Sequence, residues 1–295
     1  APNLSARALV LRESKTLGLI IPDISNPYFS ELAKGVEREA QRIGYSVIFC
    51  NSRDDARKDL DNFKLLLGRQ VDAVVLVSSI EDEDTAIANE FNHLATANGV
   101  PVVLFDRQVI GGNYDTVGID NRMGGYLATK FLLTQGYQKI GCITGLLKMS
   151  SARERVDGYL AALKEYGVAT VPEWIVHGDY SMQSGLIHAN ILLEHGVDSI
   201  FACNDMMAIG VSKALQLHGK KAGRDFGLVG FDNSPICEYL ETPLTTIDQN
   251  IYDMGKAACR LAITSINEKG KPQPLEKKRV QFQPSLIIRE TANHV

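Results

Sequence analysis

Short apolar runs recur along the chain, each followed by a stretch whose apolar positions return at helical spacing. "TLGLIIP" (16–22) leads into a segment with Phe29, Leu32, Ala33, Val36 and Ala40 on one helical face. "YSVIFC" (45–50) precedes a capped helix from Asp54 to Gly68. "DAVVLV" (72–77), a helix near 84–98 and "VPVVLFD" (100–106) continue the alternation. β-rich runs alternating with helices predict parallel sheets with helices on both faces.

The theme restarts after "DTVGID" (115–120), with helices predicted over 122–135, 151–166, 182–195 and 205–218. Strands are predicted at "KIGCIT", "EWIVHG", "DSIFACN" and "FGLVGFD". The segment "PLTTIDQNIYDMGKAACRLAITSI" (243–266) then adds a strand and a long helix, and "KRVQFQPSLIIRE" (278–290) a closing β pair. The chain reads as two α/β halves that change over near Gly118–Asn121. Two such halves imply a crevice, and open parallel sheets take ligands beyond the carboxyl ends of their strands. Gripping residues are therefore expected just after the strands.

They collect there. Asn26, Tyr28 and Phe29 follow the first run, and Asp106 with Arg107 follow "VVLF". Asn204 and Asp205 follow "IFAC", Asp232 and Asn233 follow "LVGF", and Asp248 and Gln249 follow "LTTI". Arg153 and Arg155 open the helix after "IGCITG", and Tyr180 follows "IVHGD". Taken singly, each Asn or Asp also suits a helix cap or turn, and Arg153 and Arg155 flank Glu154 in a solvent-facing first turn. As a set they combine carboxylates, amides, guanidiniums and aromatics, which is what a sugar requires. Hydroxyls donate to carboxylates, cationic and amide N–H groups donate back, and flat rings cover the C–H faces.

Composition narrows the alternatives. The chain has 295 residues, is 45% hydrophobic and 22% charged, and carries a net charge of −4. That balance argues against broad nucleic-acid binding by this chain. Five cysteines without a CxxC pair argue against structural zinc and disulfides, and favour a reducing, cytoplasmic setting. No apolar stretch is long enough to span a membrane, and no signal peptide is evident. Phosphate-binding glycine motifs, HExxH and GxSxG are missing, so neither a cofactor, a metal nor an enzyme is indicated. His188 and His195 read as surface residues, and "RDDARKDLD" and "EDEDTAIANE" as solvated helix starts. Trp174 reads as core.

"TLGLIIPDISNPYFSELAKGVE", "VVLFDR", "RERVDGY", "IFACNDMMAIG", "LVGFDN" and "PLTTIDQNIYDMG" together resemble the lactose-repressor/galactose-repressor family of bacterial transcription regulators. The resemblance runs from about Pro2 to Arg289, in family order and spacing. It implies an α/β fold of two Rossmann-like subdomains joined by three crossovers, the periplasmic-binding-protein type I fold. Residues 16–119 and 250–277 would form the N-terminal subdomain, and 120–249 and 278–292 the C-terminal one. It further implies that Asn26, Tyr28, Phe29, Asp106, Arg107, Arg155, Tyr180, Asn204, Asp232 and Gln249 contact the effector. As a set these most resemble the ribose-binding members, departing at Tyr28, where those proteins often carry Phe.

"PNLSARALVLRESKT" (2–16) resembles the family's hinge helix and linker, placed at residues 1–15, with Asn3, Ala6, Arg7 and Leu9 facing the DNA minor groove. There Leu9 would act as a wedge whose cost is repaid by a bent duplex. The family's helix-turn-helix would precede Ala1, so operator DNA is expected to need it. The implied partners are a sugar effector, operator DNA and a second copy of the chain in a homodimer. The alternatives are a periplasmic sugar-binding protein and a repressor with a phosphosugar, nucleoside or protein effector.

Overall fold

The computed structural model describes residues 14–81, 83–269 and 276–292. The expected hinge helix with Asn3, Ala6, Arg7 and Leu9 lies outside them. In chain order the first half gives β1 (Thr16–Ile21), α1 (Pro27–Arg42), β2 (Ser46–Asn51), α2 (Ala56–Gly68), β3 (Ala73–Leu76), α3 (Thr85–Asn98), β4 (Val102–Phe105) and β5 (Asp115–Ile119). The second half gives α4 (Asn121–Thr134), β6 (Ile140–Thr144), α5 (Ser150–Glu165), β7 (Ile175–His177), α6 (Met182–Glu194), β8 (Ser199–Ala202), α7 (Asp205–Leu217), β9 (Gly227–Asp232) and β10 (Thr245–Asp248). The chain closes with α8 (Ile251–Asn267), β11 (Arg279–Phe282) and β12 (Ser285–Ile287).

Caps fix where the helices begin. Asn26 accepts from the Tyr28 amide and Pro27 sits in the first turn, where its missing N–H costs nothing. Asp55, Asp120 and Asn204 cap α2, α4 and α7 in the same way. Each helix then buries one face: Phe29, Leu32, Val36 and Ala40 in α1, for example.

The strands assemble into two sheets, ordered β11-β5-β4-β3-β1-β2 and β12-β10-β9-β8-β6-β7. Each reverses strand order once, between β1 and β3 or between β6 and β8. Such a switch point is where doubly wound sheets take ligands. The described residues up to Gly118, with those from Asn250 to Phe282, make one compact unit; Ile119–Gln249 and the described residues after Gln283 make the other. Each has its own core. Phe63, Phe91, Val74 and Leu104 lie in the first, and Tyr159, Phe201, Leu228 and Phe231 in the second.

The closing segment departs from expectation. Its two strands do not pair with each other, and 278–292 is not confined to the second unit. The Lys278 carbonyl accepts from the Thr116 amide where β11 extends the first sheet, while β12 runs antiparallel to β10 in the second. Both β5 and β10 would otherwise be open edges. The chain divides after Phe282 and each part covers one edge. The "EWIVHG" strand is also shorter, because Pro172–Trp174 form a 3-10 turn ahead of β7.

Helices cross closely where glycines face each other. A methyl on Gly35 would strike the Tyr252 carbonyl, and one on Gly255 would meet α1 backbone, so α1 and α8 touch main chain to main chain. Gly125 and Gly158 do the same for α4 and α5, and Gly185 and Gly210 for α6 and α7. The α4–α5 crossing matters most, because α5 carries Arg155.

Candidate functional site

At the carboxyl end of the first sheet, β1 leads to Asn26, Tyr28 and Phe29, and β4 to Asp106 and Arg107. Tyr28 and Phe29 meet edge to face at 4.9 Å, and Tyr28 reaches Phe105 at 6.5 Å. Both rings are largely buried, each with only 7% of its surface exposed. The Asn26 side-chain oxygen is engaged as the α1 cap, which leaves its amide nitrogen as the donor.

Arg107 is buried and held from two sides. One guanidinium nitrogen donates to Asp54 Oδ1 at 2.7 Å and to the Ser78 carbonyl, just past β3, at 3.2 Å. Behind it lies Asp59, wholly buried in α2 and accepting from the Ser79 amide. Burial pushes the Asp59 carboxyl up to about 6, opposed by the Ser79 amide, the Ser52 hydroxyl and the positive charge of Arg107. The expectation that "RDDARKDLD" is merely a solvated helix start therefore fails at Asp59. The residue shares the inner face of α2 with Phe63 and Leu66, and that spacing was the signal in the sequence.

In the second unit the groups form one network. Arg155 donates through Nε to Asn121 Oδ1 at 2.8 Å and through a terminal nitrogen to the Cys203 carbonyl at 2.6 Å. Its guanidinium carbon lies 3.8 Å from the Phe231 ring centre, a cation–π stack, with Asp232 Oδ1 3.9 Å away. Far from being a solvent-facing first-turn residue like Arg153, Arg155 is buried. Gln249 Nε2 donates to Asp232 Oδ1 at 2.6 Å. A carboxylate only accepts, so the Gln249 amide must face it nitrogen-first. That leaves Gln249 Oε1 buried and without a partner among the described residues. Asn204 caps α7 with its oxygen and donates to the Tyr180 carbonyl at 3.1 Å. The Tyr180 ring packs over Gly145, where a Cβ would collide with it.

The two arginines are anchored alike. Each gives a hydrogen bond to the carbonyl just beyond the third strand of its sheet, Ser78 after β3 or Cys203 after β8, at the switch point. Asp54, Asp106, Tyr180, Asp232 and Asn233 also adopt left-handed or otherwise positive φ. Such backbones cost energy for non-glycine residues and gather where side chains must be aimed. Asp205 supports the β9 loop: it accepts from Thr246 Oγ1 at 2.6 Å and from the Ser234 amide at 2.7 Å, while burial raises its carboxyl to about 6. In the sequence Asp54 reads only as part of a solvated helix start, and Ser78 and Asn121 have no assigned role in the site. Their partners lie 29 to 53 positions away along the chain, and no local spacing marks them.

Chemically, each set alternates acceptors and donors beside aromatic rings, with no activated nucleophile in the arrangement. No His/Cys/Asp/Glu group able to hold a metal occurs among the described residues, and no helix described is long and apolar enough to cross a membrane.

Comparison with known proteins agrees with this architecture. A periplasmic binding protein domain matches residues 17–271. The chain is 36% identical to the ribose operon repressor of Halalkalibacterium halodurans over 98% of its length and 83% of the relative's. The chain belongs to the LacI family of transcription regulators. It is also 30% identical to the HTH-type transcriptional repressor PurR of Photobacterium profundum, over 99% of the chain and 85% of that repressor. Among solved structures, a LacI family transcriptional regulator from Enterococcus faecium with bound ribose superposes with a TM-score of 0.83 at 27% identity, covering 94% of this chain and 98% of that one. The two-sheet fold is that of LacI-family effector domains, and the relatives are repressors rather than enzymes.

Proposed function

We propose that this LacI-family chain is the effector-binding and dimerising part of a sugar-responsive repressor, and that its effector is a neutral, ribose-like pentose. The observation that carries the reading is the buried Arg155–Asp232–Gln249 network, in which Gln249 Oε1 has no partner among the described residues. A hydroxyl donor satisfies Gln249 Oε1, and a stacked guanidinium presents planar donors to sugar oxygens. Asn26, Asp106 and Arg107 supply the matching groups from the first unit, with Tyr28, Phe29 and Tyr180 as apolar faces. The ribose-bound relative from Enterococcus faecium supports the choice of pentose.

In this reading one sugar is gripped by groups of both units. It favours whichever arrangement lets both sets reach it, and through that preference it shifts operator binding by a homodimer. The coupling is reciprocal: operator DNA changes sugar affinity by the same factor. The N-terminal segment acts as the hinge that reaches the minor groove, and the protein works in the cytoplasm.

Calorimetric titration with ribose, arabinose, xylose, galactose, fructose and glucose tests this. One sugar should bind in the micromolar range. Asp106→Asn and Arg155→Lys should each weaken it about 100-fold or more, because a point-charge ammonium cannot replace the stacked, forked guanidinium. Silence across the panel would sink the sugar reading and redirect the search to a phosphosugar, a nucleoside or a protein effector.

A further inference from the structure

The first unit's arginine is neutralised before any ligand arrives, and the residue that does this lies outside the expected contact set. Asp54 is the residue just before the α2 cap, in the loop after β2. Its carboxylate oxygen sits 2.7 Å from the Arg107 guanidinium. The pair is unequal in exposure: Arg107 is 6% exposed and Asp54 29%. A cation so deeply placed cannot be compensated by water, so its charge is balanced by protein groups or by ligand. Asp106 adjoins it in sequence, and Asp59, buried in α2, feels its charge. An anion approaching Arg107 therefore meets a cation already paired and flanked by carboxylates. A neutral hydroxyl brings no charge for those carboxylates to repel.

We propose that Asp54 sets the charge selectivity of this subsite: by holding Arg107 as an ion pair it reserves the guanidinium for uncharged polyol oxygens and rejects sugar acids. The inference rests on the sugar-binding reading above and specifies the class of sugar. Asp54 is a positioning residue, acting through Arg107. Its contribution is a built-in repulsive element, which is how binding sites commonly exclude a near relative of their ligand.

The backbone makes the test clean. Asp54 has φ of 52°, a left-handed conformation that Asn and Gly adopt with little strain. Asp54→Asn keeps the shape and removes the charge, and Asp54→Gly removes the side chain while easing the backbone. A residue that merely shaped the loop would, when replaced, weaken charged and uncharged ligands alike.

The experiment measures D-ribose binding to the wild-type chain and both variants, with D-ribonate and ribitol as competitors. Ribitol and ribonate share an open carbon skeleton and differ in the carboxylate. In the variants ribonate should gain on ribose by about tenfold or more relative to wild type, while ribitol does not, and added salt should shrink the gain. An unchanged ribonate-to-ribose ratio in both variants overturns the assignment, as does a gain that ribitol shares. If the wild type binds ribose but selectivity does not move, only the role of Asp54 falls. If the wild type binds no sugar, the reading beneath it falls as well.

Discussion

Asp59 shows how one buried carboxyl sets a pH dependence for the whole first unit. Its folded value near 6 lies above the ordinary aspartate value of 3.8 because burial disfavours the charged form. Between those two values the native state holds more protons than the unfolded chain, so stability falls as pH rises through about 6. A shift of this size corresponds to about 3 kcal/mol. Asp59→Asn keeps an acceptor for the Ser79 amide and cannot ionise. The variant should be at least as stable as wild type at pH 8, and its loss between pH 5 and pH 8 should be smaller by about 1.4 kcal/mol, the part of the effect that remains above pH 5. Urea unfolding at the two pH values measures this directly; an identical pH slope in the variant would refute it. Asp205 should retain its own share of the dependence, because its carboxyl is raised in the second unit by the same cause.

Between helices, glycine contacts decide where the proposed binding groups sit. Gly125 on α4 faces the Arg155 carbonyl on α5, so a methyl there pushes the segment that aims Arg155. Gly35 on α1 faces the Tyr252 carbonyl on α8, where a methyl presses on no proposed contact residue directly. Both Gly→Ala variants should lose about 1–3 kcal/mol of stability through overpacking. Only Gly125→Ala should also weaken sugar binding, by about tenfold or more, since small misplacements of a positioned group are costly. Titration at a temperature where both variants are folded separates the two, and equal affinities would count against the aiming role of the crossing.

The same scale marks what the sequence could reveal. Periodicity located the strands and helices, and the rule that ligands meet strand ends pointed to Arg155, Asp232 and Gln249, because each follows a recognisable apolar run. It could not show that Arg155 is held by Asn121 or Arg107 by Asp54, since those contacts span 34 and 53 positions and depend on strand order. The closing strands were misread for a related reason. Local pattern shows that a segment is β, while the open edge it fills is a property of the assembled sheets.

At the scale of the molecule, two units with separate cores are threaded by one chain that passes between them after Gly118, Gln249 and Phe282. Units of this kind can unfold independently, and then the van't Hoff enthalpy falls below the calorimetric one. A sugar gripped by both units, as proposed above, would change this, because unfolding either one would release it. At a ligand concentration 100 times the dissociation constant the sugar adds about 2.7 kcal/mol to whichever unit would melt first. Its transition should therefore move up toward the other, and the two enthalpies should converge. Glu39→Gln supplies a marker for the first unit. Glu39 lies under Arg42 and Arg260, whose hydrogen bonds hold its carboxyl down at about 2, so the charge stabilises the fold at every pH above the ordinary glutamate range. In that variant the first unit's transition should fall, and sugar should restore more of it than it adds to the second unit. A sugar held by the second unit alone would raise only that unit's transition and leave the marked one where the substitution put it.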